Sequence, residues 1–158
     1  MERIGIGFDS HRFAYGRKLI LGGVEIPFEK GLLGHSDGDA LVHSIIDAIL
    51  GAAHLGNIGT LFPDKDEEFK DIYSIKLLEK VASLISENKI EIVNIDSVLI
   101  IEKPKISPFV ERMEKTIANA LRISQKRVSV KPKTNEGMGF TGKGEGVSAI
   151  SVALVKLS

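Results

Sequence analysis

The period of hydrophobic and polar positions changes several times along the chain. From Arg3 to Phe13, bulky and small residues alternate as Ile4-Gly5-Ile6-Gly7-Phe8, and the run delivers Asp9-Ser10-His11. A period of two predicts a strand, with Asp9 and His11 projecting from one face. Leu19–Gly22 and Val24–Ile26 are short apolar runs about Gly22-Gly23, the pattern of a hairpin. Ala40–Ala53 is apolar, free of proline and interrupted only by Gly51, and it breaks at Gly56, which predicts a helix. Asp71–Glu87 places Ile72, Ile75, Leu78, Ala82 and Ile85 on one side of a second helix, with Asn88 as its left-handed cap. Ile90–Ile101 is a long β-branched strand. Ser107-Pro108 opens a third helix, a cap and then proline at the first position, with Phe109, Met113, Ile117 and Leu121 as its apolar face. Val128–Lys131 and Val147–Leu157 read as strands. The order βββα then αβαββ has no regular βαβ alternation, so the expectation is α+β, a mixed sheet covered by helices on one face, in a single domain over residues 1–158.

The stretch Gly34–Asp66 carries most of the chemistry. Its head, Gly34-His35-Ser36-Asp37-Gly38-Asp39, suits a helix start, with Ser36 or Asp37 as N-cap and Asp39 adding charge where the macrodipole favours it. Beyond the cap, Asp39, His43 and Asp47 recur every four residues on one face of a helix that is apolar nearly all round. Buried acids and a histidine need partners. Taken alone, Asp9-x-His11 reads first as a surface hydrogen bond at a strand end and only second as a two-toothed metal ligand. Combined with His43 it makes two nitrogens and a carboxylate, the donor set of an open zinc site. Asp47, one turn on, and Asp39, one turn before, are then candidates for orienting His43 from behind.

Composition narrows the alternatives. The chain has no cysteine, which removes disulfides, thiolate-bound zinc, iron–sulfur clusters and thiol catalysis, so a metal must be held by histidine and carboxylate. All four histidines, His11, His35, His43 and His54, lie within the first 54 residues. Twenty-one basic residues balance 21 acidic ones, which argues against general nucleic-acid binding. With no long uninterrupted apolar stretch and no signal-like opening at Met1-Glu2-Arg3, the expectation is a cytoplasmic protein without membrane contact.

Lys133-Thr134-Asn135-Glu136 precedes a glycine run, Gly137-Met138-Gly139-Phe140-Thr141-Gly142-Lys143-Gly144-Glu145-Gly146. It contains G-x-G-x-x-G but leads into a strand instead of opening a helix after one, so a dinucleotide fold is not expected. Two readings stay open: a plain glycine-rich hairpin, or a backbone-exposing loop for phosphate with a hard cation on Glu136.

Taken together, Asp9-x-His11, the Gly34–Asp39 head with His43, Phe62-Pro63-Asp64, Pro104-Lys105, Gly139-Phe140-Thr141-Gly142 and Gly144-Glu145-Gly146 resemble the 2-C-methyl-D-erythritol 2,4-cyclodiphosphate synthase family over essentially the whole length. The resemblance implies cyclisation of 4-diphosphocytidyl-2-C-methyl-D-erythritol 2-phosphate with loss of CMP, a lyase step of non-mevalonate isoprene biosynthesis. It implies zinc on Asp9, His11 and His43, one ion per subunit, and magnesium or manganese on Glu136 with the substrate diphosphate. His35 and Thr134 become the transition-state helpers. Ser36 with Asn57, Ile58, Gly59, Phe62, Pro63, Asp64, Lys65 and Asp66 would contact the methylerythritol phosphate. Ile101, Glu102, Lys103, Pro104, Lys105 and Ile106, with Pro132, Lys133 and Asn135, would form the cytidine and diphosphate pocket, and Phe140 and Lys143 would complete it. A homotrimer with active sites between subunits is implied as well. Asn57 stands where the family commonly has aspartate, Lys133 where a small or hydroxyl residue is usual, and Lys143 where arginine is common. Asn57 therefore gains a donor, and Lys143 lacks the bidentate fork of arginine.

Overall fold

A computed structural model of the protein describes residues 1–70 and 72–158. Asp71, the expected first residue of the second helix, lies outside the described residues. The elements are β1 (Glu2–Tyr15), β2 (Leu19–Leu21), β3 (Val24–Ile26), β4 (Lys30–Leu32), α1 (Ala40–Ala53), α2 (Ile58–Leu61), α3 (Ser74–Glu87), β5 (Ile90–Ile100), α4 (Val110–Leu121), β6 (Val128–Lys133), α5 (Gly139–Gly142) and β7 (Gly146–Leu157). Five strands form a mixed sheet in the order β4-β1-β7-β5-β6, in which only β5 and β6 run parallel; β2 and β3 form a separate hairpin. The α+β class with helices on one face is therefore the observed architecture. Among the described residues no helix is long and apolar enough to cross a membrane.

The alternation in β1 is real, but its polarity is inverted. Ile4, Ile6 and Phe8 point away from the helices and are 74%, 70% and 58% exposed, while the intervening glycines face α1. A Cβ on Gly5 would lie 2.1 Å from the Ala48 carbonyl oxygen, and one on Gly7 would lie 1.9 Å from that of Ser44. These glycines let the helix backbone lie directly on the strand. The close approach sets His43, which precedes Ser44, over Asp9, which follows Gly7 by two. Ser44 Oγ, Ser151 Oγ and Ser97 Oγ, on α1, β7 and β5, then form a buried hydroxyl chain with 2.7 Å links.

Several local expectations are corrected. The N-cap of α1 is Asp39, neither Ser36 nor Asp37; its Oδ1 accepts from Val42 N at 3.1 Å. Its two oxygens also accept from Gly22 N at 3.0 Å and Gly23 N at 2.8 Å. Gly22 and Gly23 have φ of 59° and 72°, the two positive values a tight hairpin turn demands, so one carboxylate ties the β2–β3 turn to the start of α1. At the end of α3 the left-handed residue is Lys89, with φ 56°, while Asn88 donates from Nδ2 to Leu84 O at 2.8 Å. Ser107 caps nothing through its side chain; Ser107–Phe109 is a 3-10 turn leading into α4. The glycine run holds a single helical turn, α5, and β4, only three residues long, falls below what periodicity can register.

A candidate metal centre and its cavity

Asp9 and His11 reach the α1 face from β1, and His43 meets them from the first turns of α1. Asp9 Oδ2 lies 2.8 Å from His11 Nε2 and 3.0 Å from His43 Nδ1, and the two nitrogens are 3.3 Å apart. Asp9, His11 and His43 each offer a donor atom within 4.8 Å of the others.

The second ring nitrogens decide what the first ones present. His11 Nδ1 donates to Leu33 O at 2.8 Å, and a carbonyl can only accept. His43 Nε2 lies 2.8 Å from Ser74 Oγ and 3.1 Å from Ser36 Oγ. Ser74 donates its hydroxyl proton in a very short bond to Asp37 Oδ1, so its oxygen is left to accept from His43 Nε2–H. His11 Nε2 and His43 Nδ1 are then the nitrogens turned toward the Asp9 carboxylate, sharing protons with it in the absence of a cation and able to give lone pairs to one. Two lone-pair nitrogens and a carboxylate oxygen at this separation suit a divalent cation with a position left open for another ligand.

Without a cation the three groups bias one another. Burial would raise the Asp9 carboxyl, but hydrogen bonds from His11 and His43, and their charge, outweigh it and hold the group below the usual carboxylate range. Burial would lower His11, yet the hydrogen bond and charge of Asp9 raise it above an ordinary imidazole. Fully buried Asp39 is pushed up to about 7 by desolvation, with the Asp37 charge adding to it, against the N–H bonds of Gly23 and Val42.

The expected orienting carboxylates do other work. Asp39 holds the hairpin, as described above. Asp47 turns to the following loop, where its Oδ1 accepts from Ile58 N at 2.7 Å. Burial raises the Asp47 carboxyl and that bond works against it. The helical spacing brings Asp47 onto the His43 face, but the ring points its free nitrogen at α3. Ser74 and Asp37 were missed as partners of His43, because Ser74 fell inside the expected second helix and Asp37 read as a cap of the first.

A cavity of about 360 Å³ opens beside the triad and is lined by, among others, His35, Ser36, Ile58, Gly59, Phe62 and Asp64. His35 has its Nε2 buried and, among the described residues, without a hydrogen-bond partner. Phe62 packs edge-on against Phe69, with centroids 5.2 Å apart, and fixes the outer wall. Arg17 was also missed; it clamps the histidine loop by donating from Nε to Leu32 O and from Nη2 to Ser36 O, each at 2.6 Å. Of the other loop candidates, Asn57 accepts from Thr60 N at 3.0 Å as the N-cap of α2, and Asp66 accepts from Glu68 N at 3.1 Å. Pro63 and Lys65 do not line the cavity.

The second group of candidates gathers elsewhere. Ile101 N donates to Lys133 O at 2.9 Å, and Asn135 N to Glu102 Oε2 at 3.3 Å, so 101–106 and 132–135 adjoin at the ends of β5 and β6. Leu99 lies across from Ala149, which lies across from Asp9, two strands or about 10 Å along the sheet. Among the described residues, none from 101–106 or 132–143 lines the triad cavity. Thr134 and Glu136 are exposed, Glu136 with φ 53°. Phe140 lines a smaller hollow of about 200 Å³ with Ser10, His11, Arg12 and Glu145, and Lys143 borders another with Arg12 and Lys30. A larger hollow, about 450 Å³, opens between α3 and α4; it is mainly aliphatic, and its Arg127 and Glu91 pair with each other at 2.9 Å.

The sequence matches the model of the YgbB family over residues 2–156. A relative from Caldicellulosiruptor bescii named 2-C-methyl-D-erythritol 2,4-cyclodiphosphate synthase is 57% identical, over 98% of this chain and 99% of its own. The bifunctional IspDF of Campylobacter jejuni has a TM-score of 0.95 at 42% identity, covering all of this chain and 43% of that longer one. IspF of Plasmodium falciparum, solved as a CDP complex, has a TM-score of 0.87 at 36% identity over 99% and 97% of the two chains.

Proposed function

The chain belongs to the YgbB family, and we propose that it converts 4-diphosphocytidyl-2-C-methyl-D-erythritol 2-phosphate into 2-C-methyl-D-erythritol 2,4-cyclodiphosphate with release of CMP. This is a phosphorus–oxygen lyase reaction of non-mevalonate isoprene biosynthesis, and we assign it to the cytoplasm. The observation that carries the reading is the convergence of Asp9, His11 and His43 beside a cavity walled by His35, Ser36, Phe62 and Asp64, in a chain of this family.

The chemistry needs no protein nucleophile. An oxygen of the substrate's 2-phosphate attacks the β-phosphorus, and the bond to the CMP oxygen breaks with its electron pair leaving on CMP. Because attacking and leaving groups belong to one molecule, folding the substrate so that they lie in line is the enzyme's main task, worth ~7–11 kcal/mol in well-oriented intramolecular reactions. Asp9, His11 and His43 would hold zinc, and Glu136 magnesium or manganese with the diphosphate. When bound, these ions supply Lewis-acid neutralisation of phosphate charge. His35 and Ser36, with Ile58, Gly59, Phe62 and Asp64, hold the methylerythritol phosphate end, and Asn57, Pro63, Lys65 and Asp66 belong to the loop that carries them. Ile101–Ile106 with Pro132, Lys133 and Asn135 hold cytidine and diphosphate, Thr134 donates to the transferred phosphate, and Phe140 and Lys143 close the site.

These two groups come from different subunits of a homotrimer. Their separation within one chain supports this, as does the exposed apolar outer face of the sheet. Phosphorus NMR of the protein with substrate, zinc and magnesium tests the reaction. Coupled signals of a cyclic diphosphate appearing with CMP are expected. A linear diphosphate with CMP would instead make the protein a hydrolase, and an unchanged spectrum would make it a binding protein.

A further inference from the structure

The group behind His43 is more highly built than a helix start requires. Ser74 is fully buried and opens α3, whose N-cap residue, Tyr73, makes no side-chain cap bond. The capping carboxylate arrives from another segment. Asp37, in the loop before α1, accepts the Ser74 backbone N–H on Oδ2 at 2.9 Å and the Ser74 hydroxyl on Oδ1. Both oxygens of one acid thus engage one serine, and Oδ1 also accepts from Asp39 N at 3.1 Å. With its proton so committed, the Ser74 oxygen can only accept, and it lies 2.8 Å from His43 Nε2. Ser36 Oγ, 3.4 Å from Ser74 Oγ and 3.1 Å from His43 Nε2, adds a weaker second hydroxyl.

We propose that Asp37 and Ser74 are positioning residues for the metal centre: the directed chain His43 Nε2–H to Ser74 Oγ–H to Asp37 keeps the Nε2 proton in place and leaves Nδ1 as the nitrogen aimed at Asp9 and His11. This rests on the reading of Asp9, His11 and His43 as a cation site. Two consequences follow. The imidazole is held in plane with Nδ1 aimed at the site before a cation arrives, so binding does not have to reorient the ring. The wall loop that ends at Ser74, including Phe62 and Phe69, is also anchored to a ligand of the cation, so a displaced α3 start would disturb metal and substrate sites together.

The test compares zinc affinity, by competition with a chromophoric chelator, in the wild type, Ser74→Ala, Ser74→Thr and Asp37→Asn proteins. Ser74→Ala is expected to bind zinc ~10–100-fold more weakly, within the range for lost outer partners of ligating histidines. Ser74→Thr, which keeps the hydroxyl, should restore most of the affinity. Asp37→Asn keeps an acceptor for Ser74 N but can offer an N–H to the hydroxyl, and should weaken zinc as well. Because Ser74→Ala also loosens the start of α3, nitrogen-15 NMR of the metal-free wild type reads the tautomer without any substitution, and His43 should carry its proton on Nε2. An Nε2 without a proton there, or zinc affinity in folded Ser74→Ala within threefold of wild type, overturns the proposal while leaving the cation site standing. Failure of the wild type itself to bind zinc overturns both.

Discussion

His43 is where the cation site is most exposed to test. Asp9 and His11 lie two residues apart on one strand, so removing His43 leaves a two-toothed pair on a single element. His43→Ala should therefore lose zinc and cyclase activity together, while Asp9 and His11 stay in place. Metal analysis after dialysis decides it, since stoichiometric zinc in that variant would sink the triad. Asp47 makes the opposite prediction. It bonds the Ile58 amide and does not contact the His43 ring through a hydrogen bond, so Asp47→Ala should release α2 from the cavity wall. An increase of about tenfold in KM is expected, the equivalent of one hydrogen bond to a charged group. Zinc content should be unchanged, and its loss would return Asp47 to the role of orienting His43. Residue chemistry was legible where it depended on local period: two along a strand for Asp9 and His11, four along a helix for His43, whereas the same period put Asp47 on that face without revealing its bond to Ile58 N. Ser74, 31 residues from His43, and Arg17, which binds carbonyls at the end of β4 and in the histidine loop, carry no periodic signal; the packed fold brings them in.

At the level of elements, the contact between β1 and α1 builds the site, and glycine makes it possible. The alternation of Ile4-Gly5-Ile6-Gly7-Phe8 revealed the strand but not which set faces the core, because bulky residues in an alternating run are ordinarily taken as the buried ones. Here the helix needs the bare backbone. A methyl at Gly7 would fall 1.9 Å from the Ser44 carbonyl oxygen, a contact that backbone must yield to. Gly7→Ala should cost about 3 kcal/mol or more, a fall in Tm on the order of 10 °C for a chain of this size, and should weaken zinc by lifting His43 from Asp9. Gly51 is the internal control. It lies on the exposed side of the same helix with nothing within 4 Å of an added Cβ, so Gly51→Ala should raise stability by about 1 kcal/mol and leave zinc alone. Thermal unfolding of both variants checks the pair, and equal effects would mean that the strand and helix are not in register as described. The one-turn α5 and three-residue β4 escaped the sequence because neither is long enough to show a period, although α5 carries Phe140.

The whole molecule leaves one face uncovered. Ile4, Ile6 and Phe8 on β1 stand opposite Leu154, Val152 and Ile150 on β7, and together they make a continuous apolar surface on the side of the sheet away from every helix. Contiguous apolar surface of this kind marks an interface. The triad cavity and the candidate cytidine residues lie about two strands apart in one chain, so the same assembly that covers this face is the one that can complete the active site. Ile6 and Val152 form the middle pair of the patch. Ile6→Asp places a charge there that an apolar interface cannot solvate, and the fold itself should tolerate it because the position is 70% exposed in the single chain. Sedimentation velocity should give three times the 17.2 kDa chain mass for the wild type and a single chain for the variant. The variant should keep its zinc, because the three candidate ligands come from one chain, yet lose turnover, because the proposed trimer takes its cytidine half from a neighbour. Full activity in a monomeric Ile6→Asp protein would show that one chain suffices, and the exposed face would then need another occupant.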